Sequence, residues 1–177
     1  EINALEKELE SYRTKNDEAQ TAKETAESTK SSYEALMDIQ TQYQSGAKSN
    51  ENLADELLAI NLDSLGELGK EQHTTLANSI YPSACSRLYN RGSANFDVEN
   101  YEAAIENLLK VVRMDEPYDS GNAMYLLAQA YEKSGDTENA KNYYQKVSEQ
   151  HSGTTLGNDA QEALESLNAA SAGKNGQ

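Results

Sequence analysis

The sequence is poor in the residues that carry metal, redox or nucleophilic chemistry. It has one cysteine and two histidines among 177 residues. The single cysteine, Cys85, excludes an internal disulfide, and we expect a buried or inert thiol. His73 and His151 lack further ligands at metal-binding spacing, which predicts surface histidines and no metal site. Because no glycine-rich phosphate loop, nucleophile elbow or catalytic carboxylate pair occurs, we predict neither a cofactor nor an enzyme.

Basic residues and long apolar runs are also scarce. The 15 lysines and arginines stand against 30 aspartates and glutamates, which gives a formal net charge of −15 and a pI near 4.5. This balance disfavours binding to nucleic acid or to anionic lipid, both of which need clustered cations. No apolar run approaches the roughly 20 residues that span a bilayer. The chain begins at Glu1 without an initiating methionine, and we expect a processed or truncated piece whose missing part held a signal or an anchor.

What the sequence does contain is a module that occurs twice. Residues 91–104 and 127–140 align with small, aromatic and turn residues in register, 36 positions apart, and a third copy begins at Gly157. A period of about 20 to 50 residues is typical of a solenoid, in which each unit buries its apolar face against its neighbours. Proteins built in this way bind other proteins far more often than they catalyse reactions.

Each copy predicts two helices joined by a polar turn, near residues 99–100 in the first and at residues 134–136 in the second. Small residues lie where the paired helices would come closest, and these are Gly92 and Ala104 in the first copy and Ala128 and Ala140 in the second. A larger side chain at any of these places should push the two helices apart.

This pattern resembles the tetratricopeptide repeat, whose two helices carry leucine, small and aromatic residues at fixed positions. The second copy, residues 118–153, matches well, although Ser152 replaces the usual proline. In the first copy, residues 83–117, Arg91 and Asn95 stand where leucine and an aromatic residue are usual. The repeats are predicted to cover residues 83–168, where residues 157–168 form a capping helix, and residues 169–177 are expected to be a disordered tail.

The resemblance implies a concave groove lined by four positions of each first helix. Carried over residue by residue, these positions are Ser86, Tyr89, Ser93, Phe96, Asn122, Tyr125, Gln129, Glu132, Asn158, Gln161 and Glu165. Tyr89 and Tyr125 would form a ladder suited to an extended or helical peptide. Their alternative role is to fill space between helices, as we expect for Tyr131, Tyr143 and Tyr144. The lysine and asparagine that would hold an acidic chaperone tail are absent from the matching positions, so the predicted partner is a neutral or basic protein or peptide.

Residues 1–46 predict one long helix, because glycine and proline are absent before Gly46. On a heptad grid the seam positions are Ile2, Leu5, Leu9, Tyr12, Asn16, Ala19, Lys23, Ala26, Lys30, Tyr33, Met37 and Gln40. The seam is apolar at its ends and polar in its middle, which leaves two alternatives open. The helix self-associates as a coiled coil and makes a homo-oligomer, or it folds back against residues 51–80.

Residues 47–82 predict a helical hairpin that covers the exposed end of the stack. Gly66 and Gly69 each cost roughly 1 kcal/mol in a helix interior, so we expect a break between them. The second helix of the hairpin is expected to stop at Pro82, which cannot continue the hydrogen-bond ladder.

Together these patterns predict an all-α fold with a long amino-terminal helix, a helical hairpin and a short, right-handed superhelical stack of the tetratricopeptide type. The predicted function is a protein- or peptide-binding scaffold, and the alternatives are a structural spacer or oligomerisation rod and a regulatory domain of a larger protein. The layout resembles that of the periplasmic accessory proteins of the Tol–Pal system, which implies an extracytoplasmic location in a bacterial envelope. No residue in the sequence identifies a Tol or Pal partner.

Overall fold

The computed structural model describes residues 2–174, with the side chains of residue 3 and residues 5–170, and its regular secondary structure is helical. The α-helices are α1 Ile2–Ser45, α2 Asn50–Leu58, α3 Glu67–Asp97, α4 Tyr101–Met114, α5 Asn122–Ser134, α6 Thr137–Gln150 and α7 Thr155–Lys174. Short 3₁₀ turns at Leu62–Ser64 and Tyr118–Gly121 precede α3 and α5. Because this described part of the chain contains no strand, the predicted all-α class is confirmed.

The carboxy-terminal half is a row of helical hairpins. Helix α3 packs on α4, α5 on α6 and α6 on α7, while α4 contacts α5 and joins the first hairpin to the second. The short turns within the hairpins force each pair to run antiparallel. In the second turn Gly135 has φ 88°, the left-handed conformation that ends many helices, and in the first turn Glu99 holds a similar conformation with φ 61°. The turns predicted from the sequence therefore lie where the structure has them.

The paired helices touch at the small residues that the sequence singled out. Ala104, Ala128 and Ala140 have no exposed surface, and Gly92 is buried as well. A Cβ atom added to Gly92 would lie 2.8 Å from Cγ of Leu108 on the facing helix, well inside van der Waals contact. The close approach in the first hairpin therefore depends on the missing side chain of Gly92.

The predicted helix stop at Pro82 is wrong, since α3 runs without interruption from Glu67 to Asp97. Pro82 has no N–H to donate to the carbonyl of Asn78, and such a gap normally ends or kinks a helix. Packing on both sides holds the helix together, because Leu76 and Ile80 are buried against α2 while Cys85 and Leu88 are buried in the stack. The predicted boundary between residues 47–82 and 83–168 therefore falls inside one helix.

Helix α2 is fixed to the first hairpin by ion pairs as well as by apolar contacts. The carboxylate of Glu51 lies 3.6 Å from Nη1 of Arg87 and 3.5 Å from Nη2 of Arg91. Lys110 Nζ of α4 lies 2.8 Å from Oδ2 of Asp55. Arg91, which stands where the repeat pattern has leucine, thus faces a carboxylate on α2.

The carboxy-terminal third of α1 folds back onto α2 and α3. Leu36 and Ile39 are buried in one cluster with apolar residues of both helices, and the ring of Tyr33 packs against it. The ring of Tyr33 occupies the space over Gly69, where an added Cβ atom would lie 2.9 Å from three of its atoms. The fold-back alternative therefore holds for this part of the helix.

The amino-terminal part of α1 projects away from the domain. Every described side chain from Asn3 to Ser28 is exposed, so at a rise of 1.5 Å per residue about 40 Å of helix stands free. The predicted seam residue Ile2 has a side chain outside the described set. The coiled-coil alternative stays a prediction for this projecting segment.

Replacing Gly69 by leucine is expected to detach α1 from the hairpin. The new side chain takes the place of the Tyr33 ring, and overpacking of this kind costs about 1–3 kcal/mol. Hydrogen exchange should speed up in residues 33–45 and stay unchanged in α5 and α6. Lys70→Leu, one position further along and exposed, is the matched control, and equal exchange in the two variants would contradict the proposed contact.

The last helix is longer than predicted. Helix α7 runs from Thr155 to Lys174 and not only over residues 157–168, so the predicted disordered tail is wrong for residues 169–174. Alanine has the highest helix propensity and recurs in this stretch, which favours continuation of the helix. Residues 175–177 of the predicted tail lie outside the described residues.

Candidate protein-binding groove

The first helices of the three copies lie side by side. Helix α3 contacts α5, and α5 contacts α7. Of the residues predicted to line a groove, the exposed ones are Ser86, Asn122, Glu132, Asn158, Gln161 and Glu165. The half-buried ones are Tyr89, Ser93, Phe96, Tyr125 and Gln129. The fold thus places these positions on three adjoining helices, and their role in binding stays a prediction.

Tyr89 lies at the junction of the first and second copies. Its ring centroid is 5.4 Å from that of Tyr118, a residue of the 3₁₀ turn between the copies. Burial raises the pKa of the Tyr89 phenol, and the nearby Asp119 and Tyr118 raise it further. Sequence reasoning missed Tyr118, because it lies in a turn and not on a repeat position.

Tyr125 lies at the junction of the second and third copies, in acidic surroundings. Its ring packs edge-on against that of Tyr144, with centroids 5.6 Å apart. Burial raises the pKa of the Tyr125 phenol, and the carboxylates of Asp159, Glu132 and Glu162 raise it further. The ion pairs found among the described residues include none of these three carboxylates. The predicted groove positions around Tyr125 are therefore surrounded by carboxylates.

Several of the predicted groove residues also have structural partners. Phe96 packs edge-on against Tyr101, with ring centroids 5.6 Å apart, and so closes the first hairpin. Glu132 accepts a hydrogen bond of 2.7 Å from the hydroxyl of Tyr144. Asn122 donates one of 2.7 Å to the carbonyl of Asp119 and so holds the turn before α5. Their side chains are already oriented before any partner binds.

The tyrosines expected to fill space do so. Tyr144 is buried, with 1% of its surface exposed. The rings of Tyr131 and Tyr143 stack nearly parallel across the second hairpin, with centroids 5.7 Å apart. All three residues pack between helices as predicted, although Tyr131 and Tyr143 are half-buried, as Tyr89 and Tyr125 are.

The two histidines are structural, and their prediction as surface residues is wrong. His73 is half-buried, and its Nε2 lies 3.1 Å from the carbonyl oxygen of Leu57. His151 is half-buried: a Cβ atom on Gly121 would lie 2.2 Å from its Nε2, and one on Gly157 would lie 2.1 Å from its backbone oxygen. The sequence shows no signal for these contacts, because they join segments that are separated along the chain.

Cys85 is buried, as predicted. Burial raises the pKa of its thiol to about 11, and Asp115 adds to the shift. Within residues 2–174 no group of three or more His, Cys, Asp and Glu side chains is arranged to hold a metal ion. None of the helices described is both long enough and apolar enough to cross a bilayer.

Comparison with known families matches the stack that the structure shows. Residues 84–151 match the family model for the tetratricopeptide repeat, from the second half of α3 to the residue after α6. Comparisons with curated proteins and with solved structures gave no match. The resemblance of the whole layout to the Tol–Pal accessory proteins therefore stays a prediction. Residues 84–151 are therefore similar to tetratricopeptide repeats, which generally mediate protein–protein interaction and are typically found in non-enzymatic scaffolds.

Proposed function

We propose that the protein is a non-enzymatic scaffold that holds a protein or peptide in the groove formed by α3, α5 and α7. The observation that carries this proposal is the pair Tyr89 and Tyr125, half-buried on consecutive first helices. Tyrosine is favoured at interfaces, because its large ring is rigid and its hydroxyl still forms a hydrogen bond. Among the described residues, none of α1 belongs to the hydrophobic clusters that contain the two rings, which pack against the stack alone.

The partner that fits this groove is basic or neutral. Glu132, Asp159 and Glu162 surround Tyr125, and Asp119 lies near Tyr89. A cluster of carboxylates repels an acidic peptide and attracts lysine and arginine, which steers association and selects partners. The interaction should weaken as salt is added, because exposed charges are screened over about 10 Å at 0.1 M ionic strength.

Loss of both tyrosines should abolish capture of a basic peptide. On an array of random dodecapeptides, the wild-type protein is expected to retain sequences rich in lysine and arginine. Tyr89→Ala/Tyr125→Ala should bind them at least about 30-fold more weakly, since interface tyrosines that act as hot spots contribute about 2 kcal/mol or more. Isothermal titration with the best array peptide measures the change.

The control for that experiment is a second pair of tyrosines. Tyr12 and Tyr43 are exposed on α1, with 63% and 38% of their surfaces accessible, and lie outside the groove. Tyr12→Ala/Tyr43→Ala should bind like the wild type. Thermal unfolding of the groove variant checks that its stack is intact, and a folded variant with unchanged affinity would overturn the proposal.

A second candidate function, an oligomerisation rod, is favoured by one specific feature. Leu5, Leu9 and Tyr12 lie on one face of the projecting helix and are 65%, 52% and 63% exposed. This spacing is that of a coiled-coil seam, and Asn16 occupies the next seam position, where a polar residue fixes register. We propose that a second copy of the chain covers this stripe.

Leu5→Lys/Leu9→Lys is expected to convert any oligomer into a monomer. Charged residues at apolar seam positions oppose helix association, while the exposed stripe has no role in the fold of the monomer. Sedimentation equilibrium at several concentrations measures the mass. A wild-type protein that stays monomeric at every concentration would contradict the proposed oligomerisation rod. It would not bear on the proposal that the groove binds a peptide.

The location proposed for this scaffold is the bacterial envelope. The support is the layout, in which a long exposed helix precedes the repeats. Protease treatment of intact cells and of spheroplasts that express the natural gene tests it, since an envelope protein is digested only in spheroplasts and a cytoplasmic one in neither.

A further inference from the structure

A cavity of about 420 Å³ opens beside the groove, between the middle of α3 and the end of α4. Its lining includes Asn78, Tyr81 and Pro82 on α3, together with Met114, Asp115 and Tyr118. The cavity exists because α3 begins well before the first repeat and extends past the turn that follows α4. It therefore lies outside the eleven positions predicted for the groove.

The lining of this cavity includes one carboxylate, that of Asp115, and the phenols of Tyr81 and Tyr118. Pro82 has no N–H, so the carbonyl of Asn78 lacks its normal helical donor. Asp115 is exposed, and no ion pair among the described residues includes it. Arg113 is close enough to influence the Tyr81 phenol but forms no ion pair with Asp115. The rings of Tyr81 and Tyr118 add two aromatic walls, which attract a cation.

We propose that this cavity binds a primary ammonium group, the head of a lysine side chain on the peptide held in the groove. An ammonium has three donors and no acceptor, which suits a lining that brings a carboxylate and two phenols from different elements to one cavity. The cavity adjoins the groove through Tyr118, whose ring lies against Tyr89. That the lysine comes from a peptide in the groove rests on the proposed function. Binding of an ammonium group by the cavity can be tested without such a peptide.

The test is an NMR titration of ¹⁵N-labelled full chain with Nα-acetyl-lysine methylamide at low ionic strength. Amide shifts are expected at Asn78, Tyr81, Asp115 and Tyr118. Nα-acetyl-norleucine methylamide, which has the same stem without the charge, should leave these amides unchanged. Equal shifts with the norleucine probe would show an apolar cavity and overturn the proposal. Cadaverine, a free diamine, should bind no tighter than the lysine amide, and tighter binding would overturn the assignment to a protein side chain.

Asp115→Asn should weaken binding of the lysine amide about tenfold, because a charge-assisted hydrogen bond is lost. Pro82→Ala, which returns an N–H to the Asn78 carbonyl, should also weaken it. Glu102→Gln, at the opposite end of α4 and exposed, is the matched control and should bind like the wild type. Unchanged affinity in Asp115→Asn would contradict the proposal. Tyr125→Ala distinguishes failure of this proposal from failure of the proposed groove. This variant should no longer bind the groove peptide but should bind the lysine amide like the wild type.

Discussion

Gly121→Ala is expected to lower the free energy of unfolding by about 3 kcal/mol, as the sum of two costs. Gly121 has φ 89°, a left-handed conformation that costs a residue with a Cβ atom roughly 1–2 kcal/mol. The new Cβ atom would also lie 2.2 Å from Nε2 of His151, so the imidazole must leave its place between two turns. Overpacking of this kind costs about 1–3 kcal/mol. Urea unfolding followed by circular dichroism measures the loss.

A matched glycine separates the two costs. Gly135 has φ 88°, almost the same as Gly121, but a Cβ atom there would meet nothing within 4 Å. Gly135→Ala should therefore cost only the backbone part, about 1–2 kcal/mol. Adding His151→Ala to Gly121→Ala should recover part of the steric cost, and the double-mutant cycle reports the coupling between the two residues. Equal losses for Gly121→Ala and Gly135→Ala would show that His151 does not hold the two turns together.

Gly92→Leu is expected to be as damaging, by about 3 kcal/mol or more, because a buried side chain is inserted between two packed helices. The first atom of that side chain would already lie 2.8 Å from Cγ of Leu108 and 3.5 Å from the carbonyl oxygen of Ala104. A leucine can be accommodated only if α4 moves away from α3. Ala94→Leu, on the exposed side of the same helix, should be nearly neutral and is the matched control.

Gly92→Leu also tests whether the packing of α3 on α4 is needed for peptide binding. If α3 and α4 separate, the Tyr89 ring loses its position against Tyr118, while Tyr125 in the next copy stays in place. Gly92→Leu should therefore weaken binding of a groove peptide even at temperatures where the protein is still folded. A folded variant with full peptide affinity would mean that the first copy takes no part in the groove.

The features that the sequence could predict are those that depend on short spacing. The small residues Gly92, Ala104, Ala128 and Ala140 recur every 36 positions, and each lies at a helix contact. Periodicity of this kind reports which face of a helix is buried, and the turn at Gly135 follows from local conformational preference alone. Periodicity and turn preference were therefore enough to predict the all-α class and the row of hairpins.

The features that could not be predicted depend on contacts between distant segments. Pro82 is a strong local stop signal, but apolar residues on both sides of it are anchored by different helices, so packing overrides the local preference. The place where α1 meets the hairpin is set by Tyr33 over Gly69, a pair that no heptad grid shows. Local rules fail at these two places because the tertiary contacts are worth more than the intrinsic cost of the residue.

In the candidate site, too, some residues could be predicted from repeat positions and others could not. Repeat positions locate Tyr89 and Tyr125 on adjoining helices, because a residue keeps its face from one copy to the next. Tyr118 and Glu162 have no repeat position of their own among the predicted residues, and they join the tyrosines only when the turn and α7 pack into the stack. The sequence placed Glu132 in the groove, but only the fold brings Asp159 and Glu162 close to Tyr125 as well.

Protection of backbone amides by a bound peptide tests the central claim most directly. With the best lysine-rich peptide from the array in saturating amount, hydrogen exchange should slow on the exposed faces of α3, α5 and α7, around Tyr89, Tyr125 and Gln161. The exchange rates of α4 and α6 should change little. Protection confined to α4, α6 or the projecting part of α1 would show that the peptide binds elsewhere, and the account of the groove would be wrong.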